Sequence, residues 1–284
     1  STATGTGTTT TVSGLVSGAY TYTVTGTNGC VSPPTSSVVI TGNSTTYNGT
    51  IWSNGEPDLT KIAVFDGDYI SSSNLSACGV IVNAGKTVTF TNSNVLTVKN
   101  EVTVNGSLIF ENNTSLVQEN DSAINTGDII YKRTANGVNG YDYVYWSSPV
   151  TGQDISSIYS ITTPGFKYFW NPLAPNINTA TTTTTGNWQT ASGVMLPATG
   201  YIVRGSSSFE MPSTNIPATF TGVPNNGIIT AAISRGVNQT TFGPLLTTNN
   251  STVTNFDDNW NLVGNPYPSS IKALDFLTFN TNIQ

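Results

Sequence analysis

Two carboxylate pairs, Asp66-Gly67-Asp68 and Asp257-Asp258, are the acids whose spacing in this sequence suits chemistry. Two acids can divide general-acid and general-base work on a glycosidic bond. Oxygen donors at positions i and i+2, as in Asp66 and Asp68, also suit calcium. Each pair falls at a predicted turn, where an Asp commonly bonds its own backbone. Turn formation is therefore the leading reading, calcium at Asp66 and Asp68 the second, and catalysis the third. Little other chemistry remains. The chain has no His and two Cys, which removes Ser–His and Cys–His dyads, imidazole metal sites, structural zinc and iron–sulfur clusters. No glycine-rich phosphate cradle leads into a helix. We expect no enzyme, and no cofactor other than calcium.

Aromatic rings are the second candidate chemistry. In YDYVYW, Tyr141, Tyr143 and Tyr145 fall on one face of a strand, with Asp142, Val144 and Trp146 on the other. Bulk on both faces fits a strand buried on two sides, or one buried on one side and binding on the other. Core is the first expectation for these rings, and stacking on glycans is the alternative. Cys30 and Cys78 fit either one disulfide outside the cell or two unpaired thiols.

The elements that must position these groups are strands. Among 284 residues only 9 are Lys or Arg and 15 Asp or Glu, so 8% are charged, and the net charge is −6. That balance excludes the cationic face that nucleic acid or an anionic membrane requires. No apolar run approaches the ~20 residues of a membrane-spanning helix, so no direct membrane span is expected. Hydrophobic residues at 37% and aromatics at 10% still supply a core. Thr is roughly one residue in six; it favours strands, Asn and Gly supply turns, and strong helix formers are scarce. The fold class is all-β. Low charge and Thr/Asn-rich strands fit an extracellular protein.

Three regions follow along the chain. Residues 1–42 read as the end of an Ig-like or fibronectin-like repeat. Leu15-Val16-Ser17-Gly18-Ala19-Tyr20 has the spacing of a tyrosine corner, Thr27-Asn28-Gly29 is a turn, and Ser37–Ile40 a closing strand; an ordinary hairpin is the alternative. A whole sandwich needs about 100 residues, so the chain reads as cut from inside a longer protein. A polar linker, Gly42–Asn48, is expected to hinge. In residues 48–133, short apolar runs recur with offsets of 22 (Val80 to Val102), 20 (Val88 to Leu108) and 20 (Leu96 to Leu116). Three strands per coil at that period predict a short parallel β-solenoid of two or three rungs, the alternative being a meander of hairpins. Residues 134–284, with longer strands and crowded aromatics, predict a β-sandwich, jelly-roll-like. Only Ser270–Phe279 reads as helix, with Ile271, Leu274 and Leu277 on one face.

The motifs IWSNGEP (Ile51–Pro57), SAC (Ser76–Cys78), LTVKNEVTVNGSL (Leu96–Leu108), SLVQ (Ser115–Gln118), YDYVYWSSPV (Tyr141–Val150), GYIVRG (Gly200–Gly205), FTGVPNNG (Phe220–Gly227) and LVGNPYPS (Leu262–Ser269) run in order along nearly the whole chain. In that order the chain resembles the C-terminal region of very large surface proteins of gliding Bacteroidota, the SprB-type mobile adhesins exported by the type IX secretion system. Gly14–Ser32 is similar to the end of the Ig-like repeats such adhesins carry in tandem. The resemblance implies a protein of the cell surface, attached to the outer membrane, that serves attachment and gliding. Its implied partners are an external surface or polysaccharide, with type IX translocon or outer-membrane shuttle proteins, and a sorting domain is expected after Gln284. It further implies O-glycosylation of Ser122 within Asp121-Ser122-Ala123. It also implies that the partner of Cys30 lies upstream, leaving Cys78 a buried free thiol. Two other roles are a glycan-binding accessory module of a secreted polysaccharide-degrading protein, and a structural stalk that engages the export machinery.

Overall fold

The computed structural model describes residues 10, 12, 18–40, 43–159, 166–175, 186–205, 214–236, 260–281 and 283. Near the N-terminus, β1 (Gly18–Tyr20) pairs antiparallel with β2 (Val38–Ile40). Between them the Asn28 side chain accepts the Cys30 N–H, and Gly29 takes the left-handed φ of 80° that its turn requires. Leu15, which opens the expected tyrosine corner, lies outside the described residues.

The chain then coils. β3 (Ser44–Tyr47), β4 (Ile62–Phe65), β5 (Tyr69–Ile70), β6 (Leu75–Ala77), β7 (Gly79–Val82), β8 (Thr87–Phe90), β9 (Val95–Val98), β10 (Val102–Val104), β11 (Ser107–Phe110) and β12 (Ser115–Gln118) wind into a parallel β-solenoid of about four turns. Its walls are the ladders β3-β4-β7-β10, β5-β8-β11 and β6-β9-β12. The offsets read from the sequence hold residue for residue: Val80 pairs with Val102, Val88 with Leu108 and Leu96 with Leu116, all in parallel, so this is no meander. The solenoid is longer than two or three rungs and begins before Asn48. Ser44 pairs with Ile62 and Ile62 with Gly79, offsets of 62 − 44 = 18 and 79 − 62 = 17, shorter than the period of the later coils. Ser44–Tyr47 is thus the first rung, and the expected linker Gly42–Asn48 is mostly strand.

Parallel coils in register lay like residues over like, so each rung buries the apolar face of the next. Phe90 and Phe110 stack at 5.3 Å and 14°, and Phe110 meets Tyr131 at 6.2 Å. At the open N-terminal end, Trp52 lies 5.1 Å from Tyr47 and 5.3 Å from Phe65. The IWSNGEP motif makes that lid. Ser53 N–H donates to Thr46 O, Asn54 N–H to the Thr45 hydroxyl, and that hydroxyl in turn to Gly55 O at 2.7 Å. A solenoid end left bare would expose strand edges and apolar rings. The corners carry amide ladders: buried Asn94 donates to Ser71, Asn100 to Cys78, and Asn120 to Asn100.

The C-terminal end is closed differently. After β13 (Ile129–Val138) come β14 (Tyr143–Trp146), β15 (Lys167–Asn171), β16 (Asn187–Thr190), β17 (Tyr201–Arg204) and β18 (Thr214–Gly222). β13 continues the solenoid wall, parallel to β11 through Ile129–Tyr131, and on its other side pairs antiparallel with β18. The boundary expected at 133/134 therefore falls inside one strand. β14-β17-β15-β16 form a four-stranded antiparallel sheet. Val144, Trp146 and Phe169 pack on the core, and the Trp146 ring sits 5.8 Å from Phe220 of β18. The antiparallel sheet thus covers the end of the solenoid, whose last wall supplies the opposing layer. α1 (Ala273–Phe279) buries none of its residues, and Ile271, Leu274 and Leu277 are exposed. No helix among the described residues is long and apolar enough to cross a membrane.

Candidate functional site

The acidic pair at the solenoid corner serves the fold. Asp66 accepts from Asn83 Nδ2 at 3.0 Å and Asp68 from Thr87 N–H at 2.8 Å, so each carboxylate ties its corner to the next coil. Between them Gly67 leaves no room for a Cβ, which would sit 2.1 Å from Gly49 N. Among the described residues, no group of three or more His, Cys, Asp or Glu could hold a metal ion. Neither carboxylate bonds its own local backbone, as the turn reading expected it to; both bonds run to the next coil. Asp257-Asp258 lies outside the described residues.

The two thiols are free and unbridged in this structure. Cys30 is exposed, whereas Cys78 is half-buried rather than fully buried, with its Sγ 3.3 Å from Asn100 Nδ2. Ser122 is exposed in the turn after β12, its N–H bonded to Asn120 Oδ1.

The tyrosines are where the structure departs from the core expectation. In β14 the inward residues are Val144 and Trp146, while Tyr143 and Tyr145 face out at 39% and 65% exposure, with Tyr141 just ahead at 71%. Strand register extends that outer face across the sheet. Tyr143 is opposite Arg204, Tyr145 opposite Ile202, Ile202 opposite Tyr168, and Trp170 opposite Trp188. Directly paired residues share a face, so Tyr143, Tyr145, Tyr168, Trp170 and Trp188 lie on one side. Tyr143 and Tyr168 meet at 6.2 Å, and Trp170 and Trp188 at 5.3 Å and 74°. Burial, with Tyr168 beside it, pushes the Tyr143 phenol above its ordinary value, so the ring stays neutral at physiological pH. Arg204 is buried on this face, its Nε donating to Gly140 O and its guanidinium 4.6 Å from the Phe166 ring.

One end of the face deepens into a cleft of about 270 Å³ lined by Tyr145, Trp170, Trp188, Trp260, Asn261 and Leu262. Trp260 comes from a distant segment that is pinned in place. Trp170 Nε1 donates to Trp260 O at 2.8 Å, Asn261 exchanges bonds of 3.0 and 2.9 Å with the Ser234 backbone, and Gly200 N–H donates to Leu262 O. Strand alternation accounts for only part of this set: Phe166, Tyr168 and Trp170 alternate in FKYFW, but nothing local in the sequence joins Trp188 or Trp260 to them.

The remaining motifs converge on the solenoid end. Asn226 Nδ2 donates to Asn120 O and Ala123 O, and Asn125 Nδ2 to Pro224 O. Leu116 N–H donates to Pro268 O, and the Tyr267 hydroxyl to Gly227 O at 2.6 Å. SLVQ, FTGVPNNG and LVGNPYPS thus build one cap. No curated protein and no solved structure matches this chain. A family model described as a domain of unknown function matches residues 39–284, and the chain belongs to that family, DUF8693.

Proposed function

We propose that this is a non-enzymatic adhesive module of an exported cell-surface protein, whose outer aromatic face meets an external polysaccharide. The observation that carries the reading is the outward row of Tyr143, Tyr145, Tyr168, Trp170 and Trp188 on a sheet whose other face is core. Rings of this size are normally buried, and a surface that holds several of them in one patch suits a binding role. The solenoid behind them is a stiff support, since each coil is bonded and packed to its neighbours. Resemblance to the type IX-exported adhesins of gliding Bacteroidota supplies the setting: attachment, gliding and a place at the outer membrane.

The chain should be retained on immobilised polysaccharide, and the double variant Tyr143→Ala/Tyr145→Ala should weaken retention about ten-fold. That estimate follows from two stacking contacts at roughly 0.5–1.5 kcal/mol each. Cells carrying the same double variant should lose attachment. Wild-type protein that no polysaccharide retains, in cells whose attachment the variant leaves unchanged, would sink the reading. Loss of polysaccharide breakdown rather than attachment would favour an accessory module of a degrading enzyme instead.

The same setting assigns Ser122 as an O-glycosylation site, on an exposed turn that a transferase can reach. Protein from the native host should be heavier than the polypeptide, and Ser122→Ala should remove the excess. A mass equal to the bare chain ends that assignment.

A further inference from the structure

We infer that the cleft bounded by Tyr145, Trp170, Trp188 and Trp260 is a subsite for one uncharged pyranose unit of a polysaccharide. The inference rests on the adhesive reading above and names the ligand of its aromatic face. A pyranose ring presents C–H groups with partial positive charge on its faces and hydroxyls around its rim. Aromatic faces carry the complementary negative potential, so the sugar's faces meet the rings while its hydroxyls remain in water. Tyr145, Trp188 and Trp260 are exposed at 65%, 36% and 68%, which leaves ring surface to be covered.

Charge decides the class of sugar. None of the described residues lining the cleft is ionisable to a cation or a carboxylate. A uronic or sulfated sugar would bring an anion against these rings with no cation to meet it, and an unpaired charge leaving water is heavily penalised. Among the described residues the cations near this face are engaged elsewhere. Arg133, beside Tyr145 and Leu262, donates to Thr114 O and lies over the Tyr131 ring, and Arg235, next to Ser234, has an interaction of its own. Arg204 holds Gly140 O and lies over Phe166, while Lys167, on the opposite face of β15, donates to Ile155 O and Ser156 O at 2.9 Å each.

Size and rigidity agree with a single ring. At about 270 Å³ the cleft lies just under the roughly 300–1,000 Å³ of sites for drug-sized ligands. One wall is set before any ligand arrives: the Trp170 indole is bonded to Trp260 O, and Gly186 lies against it, where a Cβ would come 2.4 Å from the ring. A ring fixed in advance loses little entropy on binding, which favours affinity from a small contact.

The test uses the whole chain in affinity electrophoresis and tryptophan fluorescence. Neutral laminarin, mannan and galactan are compared with acidic alginate and polygalacturonate. At least one neutral polymer should retard the protein and shift its emission. Trp188→Ala and Trp260→Ala should each weaken retardation about ten-fold, and Trp188→Phe should retain part of it. Ile70→Ala, exposed on the solenoid, should leave it unchanged. Melting temperatures within a few degrees of wild type separate lost binding from lost folding. Retardation by acidic polymers alone, or by neutral ones with Trp188→Ala and Trp260→Ala unaffected, overturns the cleft assignment while the adhesive reading stands. A change of oligomeric state in Trp188→Ala without a change in polymer binding overturns it too, by making the cleft a contact between copies. No retardation by any polymer sinks both readings.

Discussion

Phe110→Ala should destabilise the protein by about 3–5 kcal/mol, the range for truncating a fully buried Phe that leaves a cavity. Phe110 has no exposed surface and sits between Phe90 at 5.3 Å and Tyr131 at 6.2 Å. Neighbouring coils are held at strand spacing by their ladder bonds, with Phe110 opposite Phe90 and Tyr131 opposite Phe110. The walls therefore cannot collapse inward to fill the space, which places the loss toward the upper end. At roughly 2–4 °C per kcal/mol for a domain of this size, the melting temperature should fall by about 10 °C or more. Val117→Ala, on the outer side of the neighbouring wall and 38% exposed, should change stability by less than about 0.5 kcal/mol. Urea denaturation of the three proteins measures the difference. A loss below about 1 kcal/mol for Phe110→Ala would mean that the stacked rings are not a close-packed column.

The column was legible in the sequence because its inward positions are apolar and its turns are rich in Asn, Gly and Ser. Where those conditions lapse, the reading lapses. The first rung puts Thr45 inside, fully buried and satisfied by Asn54 N–H and Gly55 O, and its coil is shorter than the later ones. A polar inward residue and a different spacing hide a strand from any periodic argument. The same holds at β13, where Lys132-Arg133-Thr134 looks like a polar junction. These residues pair with β18, while Lys132 meets Glu111 at 2.7 Å and the Arg133 guanidinium lies 3.7 Å from the Tyr131 ring. Burial lowers the Arg133 pKa to about 10, so it remains charged at neutral pH.

The candidate site was legible in part for a related reason. Alternation placed Tyr141, Tyr143 and Tyr145 on one face, but both faces of that strand carry rings, so local pattern could not decide which faces water. The decision comes from residues far away: Trp146 packs on Phe220 and Tyr159, and that contact turns the tyrosines outward. Trp260 joins Trp170 through a backbone carbonyl across the sheet. Long-range contacts of this kind leave no trace in local spacing.

The solenoid and the sheets that follow it should unfold as one unit. β13 is shared, bonded to β11 on one side and β18 on the other, and Tyr131 stands opposite both Phe110 and Phe220. Side-chain bonds cross the same junction from Asn226 to Asn120 O and Ala123 O and from Asn125 to Pro224 O. The family match, residues 39–284, covers both parts without a break. A protein lacking Ser1–Gly42 should therefore show one calorimetric transition, with calorimetric and van't Hoff enthalpies equal, and the full chain should add a separate contribution from the β1–β2 region. Gly127→Ala sharpens the test, because it strikes the last corner of the solenoid. Gly127 has a φ of +79°, and a Cβ there would come 1.9 Å from Val104 O. Left-handed strain and steric overlap with a bonded backbone should together remove roughly 2–4 kcal/mol. If the two parts are one unit, the whole transition moves down together. If Gly127→Ala instead splits off an early transition and leaves the Phe90–Phe110 column melting at the wild-type temperature, the modules are merely tethered. An adhesive face mounted on such a tether could swing independently of the solenoid instead of being held by it.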